Sequence, residues 1–251
     1  MSGSTIDFSF LESACSQTGS ELDVGAFVSH YINPANSINF IRHALDAYWQ
    51  EVPASADELL GWFSTQGFGS SPQGDVSAAN SDLVSVLQTK TGIPISQALL
   101  LIGAARFRGL SCAGVNYPGH FLVRLESNLV DPLTFEYVNA AKLGSASDTN
   151  AIATPRMIAL RMFNNLKGLA LHQGNIVDAL EIVDAQMIIA NDAESRSSLN
   201  YERGEYWLRL GAHAVAREAF EKCAEECPYP ELAERARQQA ESLQGSSQTL
   251  H

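Results

Sequence analysis

Residues 80–131 read NSDLVSVLQTKTGIPISQALLLIGAARFRGLSCAGVNYPGHFLVRLESNLVD, and their pattern decides the fold. A helix starting at Ser81 is predicted to run until Gly92-Ile93-Pro94 interrupts it. The next segment, Ser96-Gln97-Ala98-Leu99-Leu100-Leu101-Ile102, begins an almost wholly apolar helix, and a helix apolar all round is buried on most sides. Gly109 ends it. SCAGVNY, HFLVRLE and NLVDPL follow as short alternating or apolar runs divided by Pro118-Gly119 and Ser127-Asn128, which predicts adjacent antiparallel strands. Three polar residues punctuate the region: Ser96 at the start of the apolar helix, His120 opening one strand and Asp131 closing the next.

Outward from this stretch, the first ~90 residues read as helices with clear stops. Asn36-Ser37 caps a helix whose apolar positions Ile38, Ile41, Leu45 and Tyr48 recur at three and four, and Pro53 ends it. Ser55 and Glu58 form a capping box ahead of Leu59, Leu60, Trp62 and Phe63. GFGSSPQGDVSAAN, residues 67–80, has the composition of a loop. On the other side, GSASDTN at residues 144–150 has that of a connector, so domains are expected at 1–145 and 151–251. From Thr154-Pro155 onward the pattern is helical.

The segment LNYERGEYWLRLGAHAVAREAFEKCAEECPYP sets Gly204, Trp207, Gly211, Ala216, Phe220, Cys223 and Pro228 at the spacing of a tetratricopeptide repeat. A looser copy holds Leu166, Ala170, Gly174 and Ala179, with Gly174 and Gly211 separated by 37 residues. PELAERARQQAESLQ would cap the stack with a charged outer face.

Composition excludes several function classes. At 45% hydrophobic and 18% charged residues, the chain has what a globular core needs without staples. The formal charge is 16 − 28 = −12, and this excess of carboxylates argues against nucleic-acid binding. Cys15, Cys112, Cys223 and Cys227 are too few and too unevenly spaced for a disulfide framework. No stretch approaches the ~20 apolar residues that cross a bilayer, and the first residues lack a basic or apolar leader, so a cytoplasmic protein without membrane contact is expected.

Taken together, Asn80-Ser81, Gly92-Ile93-Pro94-Ile95-Ser96, Pro118-Gly119-His120-Phe121 and Asp131-Pro132 resemble the SirB-type transglutaminase-like family, in which such a domain is often followed by tetratricopeptide-type helices. The resemblance covers roughly residues 30 to 145 and the helical tail. It implies an α+β, papain-like core with a small antiparallel sheet, whose general relatives use a Cys-His-Asp triad, followed by an all-α tail. Two departures stand out: no cysteine occupies the nucleophile position, and Leu133-Thr134-Phe135 follows Asp131-Pro132 where relatives tend to have an aromatic and glycines.

In a triad of this kind the nucleophile sits at a helix N-terminus, the base lies within hydrogen-bond reach, and a carboxylate orients the base. Ser96, His120 and Asp131 are the candidate catalytic residues in those roles. Each has a structural alternative: a helix-cap serine, a histidine held by Asp131 under the loops, and a turn-forming aspartate. Cys112 is a substitute nucleophile only if it faces the same cleft, since lone cysteines are usually buried apolar residues. Cys223, Cys227 and His213 lie near one another in sequence, yet Cys223 occupies a packing position of the repeat, so no metal is expected. No phosphate-binding loop is present, and no cofactor is implied.

The expectation is therefore a catalytically degenerate transglutaminase-like pseudoenzyme. It would act through a protein or peptide partner on the helical repeats, in a regulatory setting. The alternative is a cofactor-free amide or ester hydrolase or acyltransferase using Ser96, His120 and Asp131.

Overall fold

A computed structural model describes residues 6–70, 77–117, 120–138 and 152–244. The chain is α+β and divides into two compact units, residues 1–162 and 163–251. The connector expected at 144–150 lies outside the described residues.

In the first unit, short helices surround one buried helix. They are α1 (Ser9–Ala14), α2 (Glu21–Ile32), α3 (Ile38–Trp49), α4 (Ala56–Thr65) and α5 (Leu83–Thr89), and the buried one is α6 (Pro94–Phe107). Polar caps fix the starts as expected: the Ser37 hydroxyl accepts from Phe40 N at 3.2 Å, satisfying one of the orphan donors of α3. Ser55 behaves differently from a capping box, because its hydroxyl donates to Glu58 Oε2 at 2.7 Å and makes no backbone cap. The segment read as a loop contains a 3-10 turn at Ala78–Ser81, so the following helix begins at Leu83, with Asp82 accepting from Val84 N as its cap.

Every residue of α6 from Ile95 to Ala105 is buried, and α2, α3, α5 and the sheet all pack on it. This is the physical meaning of its unbroken apolar run, since a helix contacted from all sides has no face left for polar residues.

The sheet is antiparallel with order β1-β2-β3-β4, built from β1 (Cys112–Tyr117), β2 (His120–Leu125), β3 (Asn128–Asp131) and β4 (Glu136–Tyr137). Asn116 pairs with Phe121 and Tyr117 with His120 across β1 and β2, and Val123 pairs with Val130 across β2 and β3. Side chains alternate between faces along a strand. One face therefore holds Gly114, Asn116, Phe121, Val123, Leu125 and Val130, and the other holds Val115, Tyr117, His120, Leu122, Leu129 and Asp131. Val115, Tyr117 and Leu122 form their own apolar cluster, flanked by Leu129 and Val138, and no α6 residue belongs to it. The packing of α6 on β1 and β2 thus falls on the Phe121 face.

α7 (Pro155–His172) starts at the predicted cap, with Thr154 Oγ1 accepting from Met157 N at 3.2 Å, and runs on into the second unit. There α8 (Ile176–Ile189), α9 (Ala193–Arg209), α10 (His213–Glu226) and α11 (Pro230–Gln244) follow. Gly174 and Gly211 take φ values of +74° and +77° just after α7 and α9, the left-handed conformation that reverses a chain at a helix end. Tyr201, Ala216, Phe220, Cys223, Ala236, Ala240 and Leu243 make the core of α9 to α11. Gly204 admits the Phe220 ring, since a Cβ there would lie 2.7 Å from Phe220 Cε1. The α7, α8 and α9 contact is polar instead: Lys167 Nζ donates to Gln186 Oε1 at 2.9 Å and also pairs with Glu202, while Gln186 Nε2 donates to Asn164 Oδ1 at 2.9 Å.

Candidate active site

Pro94 opens α6 and places Ser96 at its third position, one turn from the helix start. Ser96 is fully buried. Its Oγ accepts from Ile93 N at 3.1 Å and donates to Asn80 O at 2.6 Å, with Ile93 O at 3.0 Å as the other acceptor in reach. A serine acts as a nucleophile when a base takes its proton, and a backbone carbonyl is no such base. Space around the hydroxyl is closed as well, because a Cβ on Gly92 would fall 2.7 Å from Ser96 Oγ.

Two neighbours complete this arrangement. Asn80 accepts from Ser77 N through Oδ1 at 2.8 Å, anchoring the 3-10 turn whose carbonyl receives Ser96. Gln97, also fully buried, donates through Nε2 to Gly69 O at 2.8 Å and Lys90 O at 3.0 Å. The N-terminal turn of α6 therefore ties together segments that start at Gly69, Asn80 and Lys90. Sequence reasoning missed Asn80 and Gln97 as the partners here; the available signal was a pair of polar residues, Ser96-Gln97, inside an otherwise apolar helix, because buried polar groups need partners.

His120 and Asp131 share one sheet face. Extending the β2–β3 register by one residue sets Asp131 opposite Leu122, and hence diagonal to His120, a spacing of about 7–8 Å between such positions. His120 is exposed, with its ring 6.3 Å from that of Tyr117. Asp131 is occupied locally: Oδ1 accepts from Leu133 N and its carbonyl from Phe135 N, both at 2.8 Å. That closes the turn into β4, where Phe135 adopts φ +56°. Among the described residues the structure brings His120 and Asp131 to a common face, while Ser96 belongs to a helix packed on the other face and bonds to backbone.

Cys112 lies at the start of β1, buried, and burial pushes its thiol up to about 12 against a partial opposing effect of the Arg106 guanidinium. A thiol so raised stays protonated at neutral pH and is a poor nucleophile. Cys223 is buried in the α9–α11 core, with its thiol raised to about 11 by burial first and Cys227 second. Among the described residues no three His, Cys, Asp or Glu side chains are grouped to hold a metal ion, and no helix is long and apolar enough to cross a membrane.

Comparison with known proteins agrees with this architecture. Residues 42–164 match the transglutaminase-like superfamily. A UPF0162 protein of Pseudomonas aeruginosa is 30% identical over 196 residues, which span 66% of this chain and 72% of that protein. The chain belongs to the UPF0162 family. A UPF0162 protein of Pasteurella multocida is 24% identical over 231 residues, covering 84% of this chain and 88% of its own length. A shorter similarity, 39% identity over 67 residues, links 25% of the chain to 11% of the mouse F-box only protein 21. No solved structure matches. In this UPF0162 chain, the transglutaminase-like match contains Ser96, Cys112, His120 and Asp131, and α8 to α11 lie beyond it.

Proposed function

We propose that this chain is a catalytically silent transglutaminase-like protein of SirB type, acting in the cytoplasm through a protein or peptide partner held by its C-terminal helices, in a regulatory role. One observation carries the reading: the Ser96 hydroxyl is buried and directed to Asn80 O, so the position where a nucleophile would stand serves to fasten α6 to the 3-10 turn. The tetratricopeptide-like spacing of Gly204, Ala216, Phe220 and Cys223 supports the second part. These residues form the α9–α10 contact, and helices stacked in this way commonly present their remaining exposed faces to a partner.

A second reading, a hydrolase or acyltransferase with Ser96 as nucleophile, His120 as base and Asp131 orienting it, is favoured by the common face of His120 and Asp131. It requires Ser96 to leave both backbone bonds.

Intact-mass labelling with a fluorophosphonate distinguishes the two. The silent reading expects no adduct on wild type. A single adduct lost in both Ser96→Ala and His120→Ala, with each variant folded, overturns it in favour of the triad.

A further inference from the structure

Arg161 differs from half of the chain's twelve arginines. Arg42, Arg106, Arg196, Arg203, Arg217 and Arg237 each reach a carboxylate. Arg161, on α7 within the first unit, has no carboxylate partner among the described residues, although the chain carries 28 acidic residues. Its Nη1 donates to Asn116 Oδ1 at 2.6 Å, and its guanidinium carbon stands 5.6 Å from the centre of the Phe121 ring.

Asn116 and Phe121 are directly opposed in the β1–β2 ladder, so both supports come from one rigid cross-strand pair. The ring itself is fixed from below, because Gly114 leaves only enough room for it: a Cβ there would lie 2.6 Å from Phe121 Cζ. The guanidinium is thus half-buried, placed over the ring, and held by a neutral amide, with no carboxylate among the described residues to compensate its charge. An arginine carries five N–H donors in a planar fork that matches the oxygens of a carboxylate or phosphate. Holding the fork in place beforehand removes much of the ordering cost of binding.

We propose that Arg161, positioned by Asn116 and Phe121, is a binding point for the oxyanion of a small ligand, a carboxylate or a phosphate group. The partial burial that lowers the basicity of Arg161 acts in the same direction, since an arriving anion restores to the cation part of the stabilisation it lost with its water. The net charge of −12 repels anions in general, so saturable binding would report a local site.

The test is titration of the full chain with inorganic phosphate and, separately, with acetate, at constant ionic strength maintained with chloride, followed by NMR shifts of the backbone amides of Asn116 and Phe121. Saturable shifts are expected with at least one anion, and the anion that saturates at lower concentration identifies the ligand class. Arg161→Gln should weaken binding at least tenfold. Arg161→Lys, which keeps charge without the fork, should retain part of it, and Arg42→Gln, removing an arginine already paired with Asp23, should leave it unchanged. Asn116→Ala, which frees the guanidinium, should weaken binding several-fold and serves as the test if Arg161→Gln does not fold. Absence of saturation with both anions, or equal losses in Arg42→Gln and Arg161→Gln, overturns the proposal.

Discussion

Gly103 of α6 lies directly beneath the Trp49 indole of α3, so close that a Cβ at Gly103 would meet the ring with 2.1 Å to Cζ2 and 2.5 Å to Cη2. The glycine is therefore a packing requirement in the middle of the most buried helix, where its backbone freedom would otherwise be a disadvantage.

Gly103→Ala should destabilise the protein by about 1–3 kcal/mol, the usual cost of overpacking a filled core, even after the ~1 kcal/mol that alanine gains over glycine in a helix. Gly61→Ala on α4 provides the opposite case, since a Cβ there meets nothing within 4 Å, and it should stabilise by about 0.5–1 kcal/mol. Urea unfolding of the two variants beside wild type measures both; a destabilised Gly61→Ala or a neutral Gly103→Ala would contradict the packing argument.

Ser96→Ala should lower stability by about 1 kcal/mol, the net worth of the hydroxyl's buried bonds, because Ile93 N still donates to Asn80 O at 3.2 Å once the hydroxyl is gone. The fall should appear in urea midpoint at unchanged slope, as the compactness of the folded state is not altered. Unchanged stability would show that the hydroxyl is dispensable to the fold.

Alkaline pH should destabilise the chain through its buried thiols. Burial raises Cys112 from 9.0 to about 12 and Cys15 from 9.0 to about 11. The folded state therefore retains protons that the unfolded state releases. The contribution of these thiols is fully present below pH 9 and is lost as pH rises toward 11–12. Unfolding midpoints measured from pH 8 to 11 should fall, and fall less in Cys112→Ala than in wild type once its lower starting stability is subtracted. At pH 8 the half-buried Cys227 should react with a thiol reagent before Cys15 or Cys112.

Lys167→Ala should destabilise the second unit by about 3 kcal/mol, as it removes the ammonium that donates to Gln186 Oε1 and pairs with Glu202. Lys167→Met, which refills the volume with an apolar chain, should cost less if Gln186 is changed to Leu at the same time. A double-mutant cycle between positions 167 and 186 reads the coupling.

Much of the first unit was legible because its signals are local. The apolar run of α6, the capping serine at 37, the Thr154-Pro155 start of α7 and the alternation in β1 to β3 each need only neighbouring residues to be recognised. β4 was not, since Glu136–Tyr137 is a two-residue strand that exists through its pairing with Val130 and Asp131. The 3-10 turn at Ala78–Ser81 was hidden in polar composition for the same reason, being held by the reciprocal bonds of Ser77 and Asn80. In the candidate site, alternation alone places His120 and Asp131 on a common face once the strands are paired. The commitment of Ser96 could not be read, because its acceptor is the carbonyl of a residue 16 positions away and a carbonyl leaves no trace in side-chain identity.

The polar contact of Lys167 and the aromatic one of Gly204 occupy corresponding places. Lys167 precedes Gly204 by 37 residues, Val183 precedes Phe220 by 37 and Gln186 precedes Cys223 by 37. Two helical hairpins of related pattern thus carry incompatible keys: Phe220 finds no vacancy on a helix bearing lysine at that station, and Lys167 finds no amide on a helix bearing cysteine. An exchange of mates between the hairpins would strand a charge or a ring, so the native order of the helices is the one in which each of these groups has its partner.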